Sequence, residues 1–333
     1  MNNDKLITAN NENIIHIVAA ANDFYVPYLS VLIRSVIKFS NDDIHYNFTV
    51  MNTDITERHQ TVLKEMALEK DNFEISFINV KSEMKDYQKL FISNHIKIET
   101  YFRLLLPKLM PDVHKVLYMD CDVIANTDVS ELYSTDVNGY YLAGTRDADS
   151  AANCNTNSEY CEYVDETLLL PNHYDYLQAG IIVMNLDEFR NSCDTDKLLK
   201  IAMSRKWTFH DQDVLNFCCK GKIKFIDYAW NFVYDYDENF RRSTNVIVNA
   251  PHYIFSDYMR AKKSPKIIHF SWTNKPWFSP GVHFGEKFWS IARETPFYTE
   301  TLVRMERDLG NYFINTQKVD IDKVEEFFEH ESF

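Results

Sequence analysis

Two aspartates separated by one residue follow an apolar run near the middle of the chain. Asp120 and Asp122 come directly after Val116–Met119, within the stretch KVLYMDCDVI. Residues i and i+2 of an extended chain point to the same side, so both carboxylates would leave one strand end together. Neighbouring carboxylates repel each other unless a cation lies between them, and their oxygens suit Mg²⁺ or Mn²⁺ bridged to phosphate. From position alone, a divalent-metal site and a solvated strand-to-loop turn are equally good interpretations.

The Asp-x-Asp triplet by itself carries little weight, because short motifs match often by chance. Six such triplets occur, beginning at Asp120, Asp147, Asp194, Asp211, Asp235 and Asp320. The first differs from the others in following an unbroken apolar run, which is typical of a central strand buried on both faces. Ligands of open α/β sheets bind at the carboxyl edge of such strands.

Composition excludes several classes of protein. The 333 residues are 45% apolar and 25% charged, as in an ordinary globular protein. A net charge of −14 argues against a nucleic-acid partner. The seven glycines form neither G-x-G-x-x-G nor G-x-x-x-x-G-K-[ST], so the phosphate cradles of Rossmann and P-loop proteins are missing.

The sequence also predicts where the protein resides. No window approaches the roughly 20 apolar residues that span a bilayer, and the first residues do not resemble a signal peptide. None of the six cysteines forms a C-x-x-C pair, and free thiols suit a reducing compartment. We therefore expect a cytoplasmic protein without a transmembrane segment, with peripheral attachment at the inner face of the membrane left open.

The elements around the motif alternate between strands and helices. Strands are predicted at Ile14–Ala20, Tyr46–Met51, Phe73–Val80, Val116–Met119, Tyr140–Ala143, Ile181–Asn185, Ile223–Ile226 and Lys266–Phe270. Helices are predicted at Val26–Phe39, from a cap at Thr53 or Asp54 to Lys70, and at Glu99–Leu106, Leu198–Trp207 and Asp211–Lys220. This rhythm predicts an α/β fold with a mostly parallel central sheet flanked by helices.

Two long segments lack a clear period. Ser150–Asn172 is polar and rich in asparagine, so we expect a mobile loop. Asp227–Arg260 is aromatic and irregular, and by composition Tyr234, Tyr236 and Tyr253 suggest a carbohydrate or glycan surface. We expect residues 1–280 to form a catalytic domain.

Residues 281–333 would form a C-terminal helical extension. The chain is predicted to be helical from Phe284 onward. The acidic end at Val319–Phe333 would be a docking helix or the start of a linker.

Six segments occur in one order between about Ile14 and Trp277. They read AAAND, ETYFRLLLP, VLYMDCDVI, LQAGIIVMNL, HDQDVLN and IIHFSWTNKPW. Together they resemble family 8 of the retaining glycosyltransferases, which includes bacterial galactosyl- and glucosyltransferases and the glycogenins. The resemblance implies the GT-A nucleotide-diphospho-sugar fold and a UDP-sugar donor with Mn²⁺ or Mg²⁺. It also implies hexose transfer, with retention, to a glycan, glycolipid or glycoprotein glycan.

The resemblance implies a role for four residues around the leaving group. Asp120, Asp122 and His269 match the metal ligands, and Lys275 matches the diphosphate contact. Without the family, His269 reads as an ordinary histidine at a strand end and Lys275 as a solvated loop lysine.

Further residues match donor and reaction positions of the family. Ala20 and Asn22 fall at the uracil and ribose, Arg103, Asp147 and Gln178 at the donor, and Asp211 and Gln212 beside the reacting carbon. Without the family, Arg103 would be an ion-pair partner on a helix surface and Asp211 an N-cap.

The chain departs from the family pattern at four positions. Asn22 replaces a common Asp, Phe24 an Asn, Gln178 an Asn, and Trp272 a Gly. These changes affect contacts to the donor more than the metal ligands. They therefore leave the donor sugar less defined than the type of reaction.

Retention requires either a double displacement or attack from the same face. Gln212 lies at the family position nearest that face and is a poor nucleophile, which favours same-face attack. Two other functions stay open. One is a haloacid-dehalogenase-like phosphohydrolase, in which an apolar strand also ends in Asp-x-Asp. The other is a nucleotide-sugar-binding module without catalysis.

Overall fold

The structure is a computed structural model that describes residues 14–87, 89–92, 97–233, 247–271 and 275–307. Tyr234, Tyr236, Trp272 and Val319–Phe333, which the sequence singled out, lie outside the described residues.

The described strands form two sheets. They are β1 (Ile14–Ala20), β2 (His45–Asn52), β3 (Phe73–Asn79), β4 (Lys115–Met119), β5 (Val123–Ala125), β6 (Leu142–Arg146), β7 (Leu177–Asn185), β8 (Ile223–Phe225), β9 (Phe232–Val233) and β10 (Ile267–His269). The larger sheet has the order β3-β2-β1-β4-β7-β6-β8, and the smaller has the order β5-β10-β9.

The larger sheet is mainly parallel, as predicted. β1 runs parallel to β2 and β4, β2 to β3, and β6 to β8. Only β7, among the described strands of this sheet, runs against its neighbours β4 and β6. Both β4 and β7 are buried along almost their whole length, because they lie in the middle of the sheet.

Helices cover both faces of the larger sheet. They are α1 (Val26–Phe39), α2 (Glu57–Ala67), α3 (Leu106–Leu109), α4 (Ser130–Tyr133), α5 (Ala148–Thr156), α6 (Ser158–Glu162), α7 (Leu186–Ser192), α8 (Thr195–Met203), α9 (His210–Cys219), α10 (His252–Lys263), α11 (Gly285–Ala292) and α12 (298–307). Short 3₁₀ helices lie at Asp23–Tyr25, Glu83–Tyr87, Ile98–Leu105 and Tyr228–Asn231. Within the described residues, no helix is long and apolar enough to cross a membrane.

α1 shows how the local sequence leads to packing. Leu29, Leu32, Ile33 and Val36 recur at helical spacing and are all buried, and Pro27 occupies the first turn, where its missing N–H is not needed. The helix packs against β5 and α11 as well as the core beside β1. It therefore joins the C-terminal part of the chain to the sheet.

The expectation of a mobile loop over Ser150–Asn172 is wrong. The segment contains most of α5, all of α6 and a π-helical turn at Tyr163–Thr167. Asp147 and Asn157 cap the two helices. Both helices are too short to show a clear helical period in the sequence. The polar composition therefore reflects caps rather than mobility.

Three other element boundaries also differ from the predictions. Part of the segment expected to be irregular is α10, which buries Ile254, Tyr258 and Ala261 at helical spacing. The helix after β2 has its N-cap at Thr56, later than predicted. The predicted helix at Glu99–Leu106 is a 3₁₀ helix that passes into α3, whose first turn accepts Pro107.

Candidate active site

The Asp-Cys-Asp segment connects the two sheets. Asp120 follows β4 of the larger sheet, and Asp122 precedes β5 of the smaller one. The Asp120 backbone N–H donates to the Gly180 carbonyl at 2.8 Å. His269 ends β10, where it pairs with Val123 across the smaller sheet. Strand pairing thus brings together residues that are about 150 positions apart in the chain.

These three predicted metal ligands form one cluster. A ligand atom from each of Asp120, Asp122 and His269 lies within 4.8 Å of the others. His269 Nε2 lies 3.2 Å from Asp122 Oδ1. Two carboxylates and an imidazole are a suitable donor set for Mn²⁺ or Mg²⁺.

A chain of hydrogen bonds orients the His269 ring. The Gly180 backbone N–H donates to Gln178 Oε1 at 2.7 Å, and Asn231 Nδ2 donates to the same oxygen at 2.6 Å. Asn231 Oδ1 must therefore face His269 Nδ1, 3.0 Å away, and accept its proton. Nε2 is therefore the ring nitrogen that faces the carboxylates, the orientation a metal-binding histidine needs.

Each carboxylate of the pair has a buried cation of its own. Lys275 Nζ donates to Asp122 Oδ2 and, at 2.8 Å, to the Phe270 carbonyl. Arg103 donates to Asp120 Oδ1 at 2.8 Å. Burial acts to raise the pKa of Asp122, but Lys275 and His269 together hold it well below its usual range. Burial raises the pKa of Asp120, although Arg103 opposes the shift.

Arg103 and Lys275 are buried, so the interpretations as a surface ion-pair partner and a solvated lysine are wrong. Arg103 is 3% exposed and stacks 4.2 Å from the centre of the Tyr118 ring. It also contacts Asp211 Oδ2 at 2.9 Å and the Ala179 carbonyl. The guanidinium thus joins the end of β4 to the start of α9.

Gly180 leaves the space that this cluster occupies. A Cβ atom added there would lie 2.3 Å from His269 Cε1 and 2.9 Å from Asp120 Oδ2. Contacts below 3.0 Å essentially never occur for real Cβ atoms. Only glycine therefore permits β7 to approach the cluster so closely, and the cradle fits a small cation.

Asp147, Gln212 and Tyr176 form a second polar group at the adjoining edge. Gln212 Oε1 accepts from the Ala179 N–H at 2.9 Å, and its Nε2 reaches Tyr176 Oη at 3.3 Å and Asp147 Oδ2 at 3.5 Å. The other Asp147 oxygen caps α5 by accepting from the Ser150 N–H at 3.0 Å. Burial raises the pKa of Asp147.

Asp211 faces inward from the same helix. Its Oδ1 accepts a hydrogen bond from the Thr100 hydroxyl, its Oδ2 forms an ion pair with Arg103, and the side chain is almost fully buried. It therefore contacts the group that supports Asp120.

The residues predicted to lie at the uracil and ribose, Ala20 and Asn22, are beside the metal cluster. Ala20 ends β1, and its carbonyl accepts from the Cys121 thiol at 3.0 Å. Asn22 Oδ1 accepts from the Tyr25 N–H at 3.1 Å and caps the 3₁₀ helix. Phe24 is half exposed next to them. Ala20 and Asn22 thus lie at the end of β1, next to the segment that carries Asp120 and Asp122.

Sequence reasoning missed Asn231 and Gly180. Asn231 lies in a short 3₁₀ helix within the segment that looked irregular, and nothing local distinguishes it. Gly180 does carry a signal, because a glycine inside an apolar strand often marks a close approach.

An Asp-x-Asp, a histidine and a lysine converge where the mainly parallel α/β sheet meets the smaller sheet, which is the arrangement expected of a glycosyltransferase of the GT-A type. The chain belongs to glycosyl transferase family 8, whose family-wide sequence model matches residues 16–281. The family resemblance inferred from the six segments is therefore confirmed.

Relatives and solved structures agree with this assignment. A putative glycosyltransferase of Haemophilus influenzae is 29% identical over 254 residues, which cover 75% of this chain and 72% of that protein. The lipopolysaccharide 1,2-glucosyltransferase of Escherichia coli is 26% identical over 198 residues, 58% of this chain and 53% of that protein. The bifunctional glycosyltransferase WbbM superposes with a TM-score of 0.79 at 24% identity, over 88% of this chain and 52% of that chain. This chain spans about half the length of the last two.

Replacing Arg103 with leucine should lower the free energy of unfolding by about 3–5 kcal/mol, because the buried Asp211 and the partly buried Asp120 lose their shared cation. Urea denaturation at neutral pH measures this. Arg260→Leu is the matched control, since Arg260 is 63% exposed and its two ion pairs lie at the surface, where they contribute little. Equal losses in the two variants would contradict the central position of Arg103.

Proposed function

We propose that this protein is a retaining hexosyltransferase that moves glucose or galactose from a UDP-sugar to a glycan, glycolipid or glycoprotein-glycan acceptor in the cytoplasm. The observation that carries the proposal is the convergence of Asp120, Asp122 and His269 within 4.8 Å, with Lys275 on Asp122. Such a cluster can hold a divalent ion and a diphosphate side by side.

Asp120, Asp122 and His269 would hold Mn²⁺ or Mg²⁺, which neutralises charge on the departing diphosphate. Lys275 is the residue of the chain best placed to add to that effect. Its ammonium group is buried, bound by Asp122 and the Phe270 carbonyl, and a point charge in a dry site stabilises a developing anion strongly.

Arg103 acts behind these residues rather than at the substrate. Its contacts to Asp120, Asp211 and the Ala179 carbonyl are all internal. It compensates the charge of Asp120 and keeps that carboxylate oriented. We therefore assign Arg103 a positioning role, and the donor contact implied by the resemblance stays a prediction.

The arrangement around Gln212 supports same-face transfer. The amide is a poor nucleophile, and its bonds to Ala179, Tyr176 and Asp147 hold it in place. The acceptor hydroxyl oxygen would bond to the anomeric carbon as the bond to the UDP oxygen breaks, and its proton would pass to a phosphate oxygen. A trapped glycosyl–enzyme adduct would contradict this course.

Two observations support the proposed substrates and compartment. One relative transfers glucose to lipopolysaccharide by its name, which favours a hexose donor and a glycan acceptor. Tyr253, on α10, is 48% exposed and offers an aromatic surface for a sugar ring. The six cysteines are unpaired, which fits a reducing compartment.

Family membership leaves the phosphohydrolase alternative without support. A binding module without catalysis stays a second candidate, because Asn22, Phe24 and Gln178 differ from the common family residues. A thermal-shift screen followed by an assay of released UDP distinguishes this candidate from the transferase.

We expect UDP together with Mn²⁺ to raise the melting temperature by several degrees, and UDP alone to raise it less, because a ligand that binds the folded state stabilises it. The measurement is a thermal-shift screen of UDP-glucose, UDP-galactose and their N-acetyl forms with and without Mn²⁺, followed by assay of released UDP. Release of UDP from one hexose donor supports the proposal. Stabilisation without release or transfer from any donor would favour the binding module.

A further inference from the structure

A second cluster of metal-ligating side chains lies away from the Asp-x-Asp site. Cys161 of α6, Asp165 of the π-helical turn and His173 of the following loop place a ligand atom each within 4.8 Å of the others. Cys161 and Asp165 are four residues apart, so they share one face of the helical segment. A nitrogen, a sulfur and a carboxylate therefore converge on one point.

The distances in this cluster match the edges of a tetrahedron around a zinc ion. Bonds of about 2.3 Å to sulfur and about 2.0 Å to nitrogen or oxygen place sulfur roughly 3.5 Å from the other ligands and those ligands roughly 3.3 Å apart. Cys161 Sγ lies 3.7 Å from both His173 Nδ1 and Asp165 Oδ2. His173 Nδ1 lies 3.3 Å from the same Asp165 oxygen.

Cys154 lies next to this cluster and supports it from behind. It is buried on α5, and its thiol donates to the His173 carbonyl at 3.9 Å, so α5 is anchored to the loop that carries His173. We propose that Cys161, Asp165 and His173 form a zinc site, with water completing the tetrahedron.

The donor set selects a softer metal than the Asp-x-Asp site does. A thiolate and an imidazole favour Zn²⁺, whereas the carboxylates of Asp120 and Asp122 suit Mn²⁺ or Mg²⁺. Cys154, which contacts the His173 carbonyl, lies seven positions after Asp147, about 10 Å along the helix axis. The two sites are therefore distinct in place and in chemistry.

The proposed ion would brace the acceptor side of the catalytic edge. Asp147 caps α5 and contacts Gln212. The π-helical turn is tied to α9 by Tyr163, whose hydroxyl donates to Asp213 Oδ2 at 2.7 Å. Zinc would join α6, the turn and the His173 loop into one rigid unit, which Cys154 ties to α5, so that a polar segment with little core of its own keeps Asp147 in place.

Cobalt titration of the full metal-free chain tests the proposal. Co²⁺ bound to a thiolate should produce a near-ultraviolet charge-transfer band that saturates when one equivalent of Co²⁺ is bound in this way. The set of Asp120, Asp122 and His269 contains no sulfur and does not contribute to the band. Zn²⁺ should abolish the band by displacement. Purified protein should also contain one equivalent of zinc by elemental analysis.

Cys161→Ser and, independently, His173→Asn should lose the band or weaken binding by at least about tenfold. Cys218→Ser, which removes a partly buried thiol of α9 outside the cluster, is the matched control and should keep it. Far-UV circular dichroism verifies that each variant is folded. Absence of the band in the wild type, its persistence in folded Cys161→Ser, or a Cys154–Cys161 disulfide in peptide mass analysis would overturn the site. None of these readouts depends on sugar transfer, so failure of the proposed function is separately visible.

Discussion

Asp122→Asn should lower kcat/KM for UDP-sugar turnover by at least about 10³-fold. A metal that stabilises the leaving group supplies several kcal/mol, and each 1.36 kcal/mol is a factor of ten in rate. Asparagine keeps the shape of the side chain but removes the charge that binds Lys275 and faces His269. The measurement is steady-state release of UDP over a range of Mn²⁺ concentrations, in which the variant should also need more metal.

Asp112→Asn is the matched control for this experiment. Asp112 is an exposed carboxylate in a loop before β4, and its removal should leave turnover unchanged. Full metal-dependent turnover in Asp122→Asn would remove the basis of the proposed mechanism. If turnover were lost while Mn²⁺-dependent UDP binding stayed unchanged, Asp122 would act after donor binding, in the transfer step.

Gly180→Ala should lower kcat/KM by roughly 10²-fold while the protein stays folded. The new Cβ would come within 2.3 Å of the His269 ring, which is held by Asn231 and cannot turn aside without losing that bond. A displacement of about 1 Å at a reacting site costs on this order. The expected signature is weaker Mn²⁺ dependence together with lower kcat, measured beside a urea unfolding curve.

Gly281→Ala is the control for the glycine substitution. A Cβ at Gly281 meets nothing within 4 Å, so activity and stability should stay close to those of the wild type. If Gly180→Ala kept wild-type activity, β7 would be free to move away from His269. The close packing seen in the structure would then have no functional role.

Several features of the fold could be predicted because their causes are local. The apolar run at Val116–Met119 and the period of α1 predict a buried strand and a packed helix from neighbouring residues alone. The segment 150–172 could not be predicted, because helices of five to nine residues show no clear period. Its caps at Asp147 and Asn157 resemble loop residues in composition.

The candidate site, too, could be predicted only in part. The residue types, their order in the chain and the family resemblance identified Asp120, Asp122, His269 and Lys275 from the sequence alone. They did not predict that Arg103 is buried between Asp120 and Asp211, since a single arginine in a helix reads as a surface residue. Asn231 was absent from the prediction because its role depends on two partners, Gln178 and His269, that are distant in sequence.

The sequence by itself determined the alternation of strands and helices, the pairing of two carboxylates at i and i+2, and membership of a family. These properties depend on short-range periodicity and on ordered motifs. Only the tertiary structure decided that β10 pairs with β5, which places His269 opposite Asp122, and that Gly180 leaves room for both. It also decided which cations lie on the carboxylates and that Cys161 meets His173. The physical reason is that such contacts arise from strand pairing and close packing between distant segments, and no local pattern encodes them.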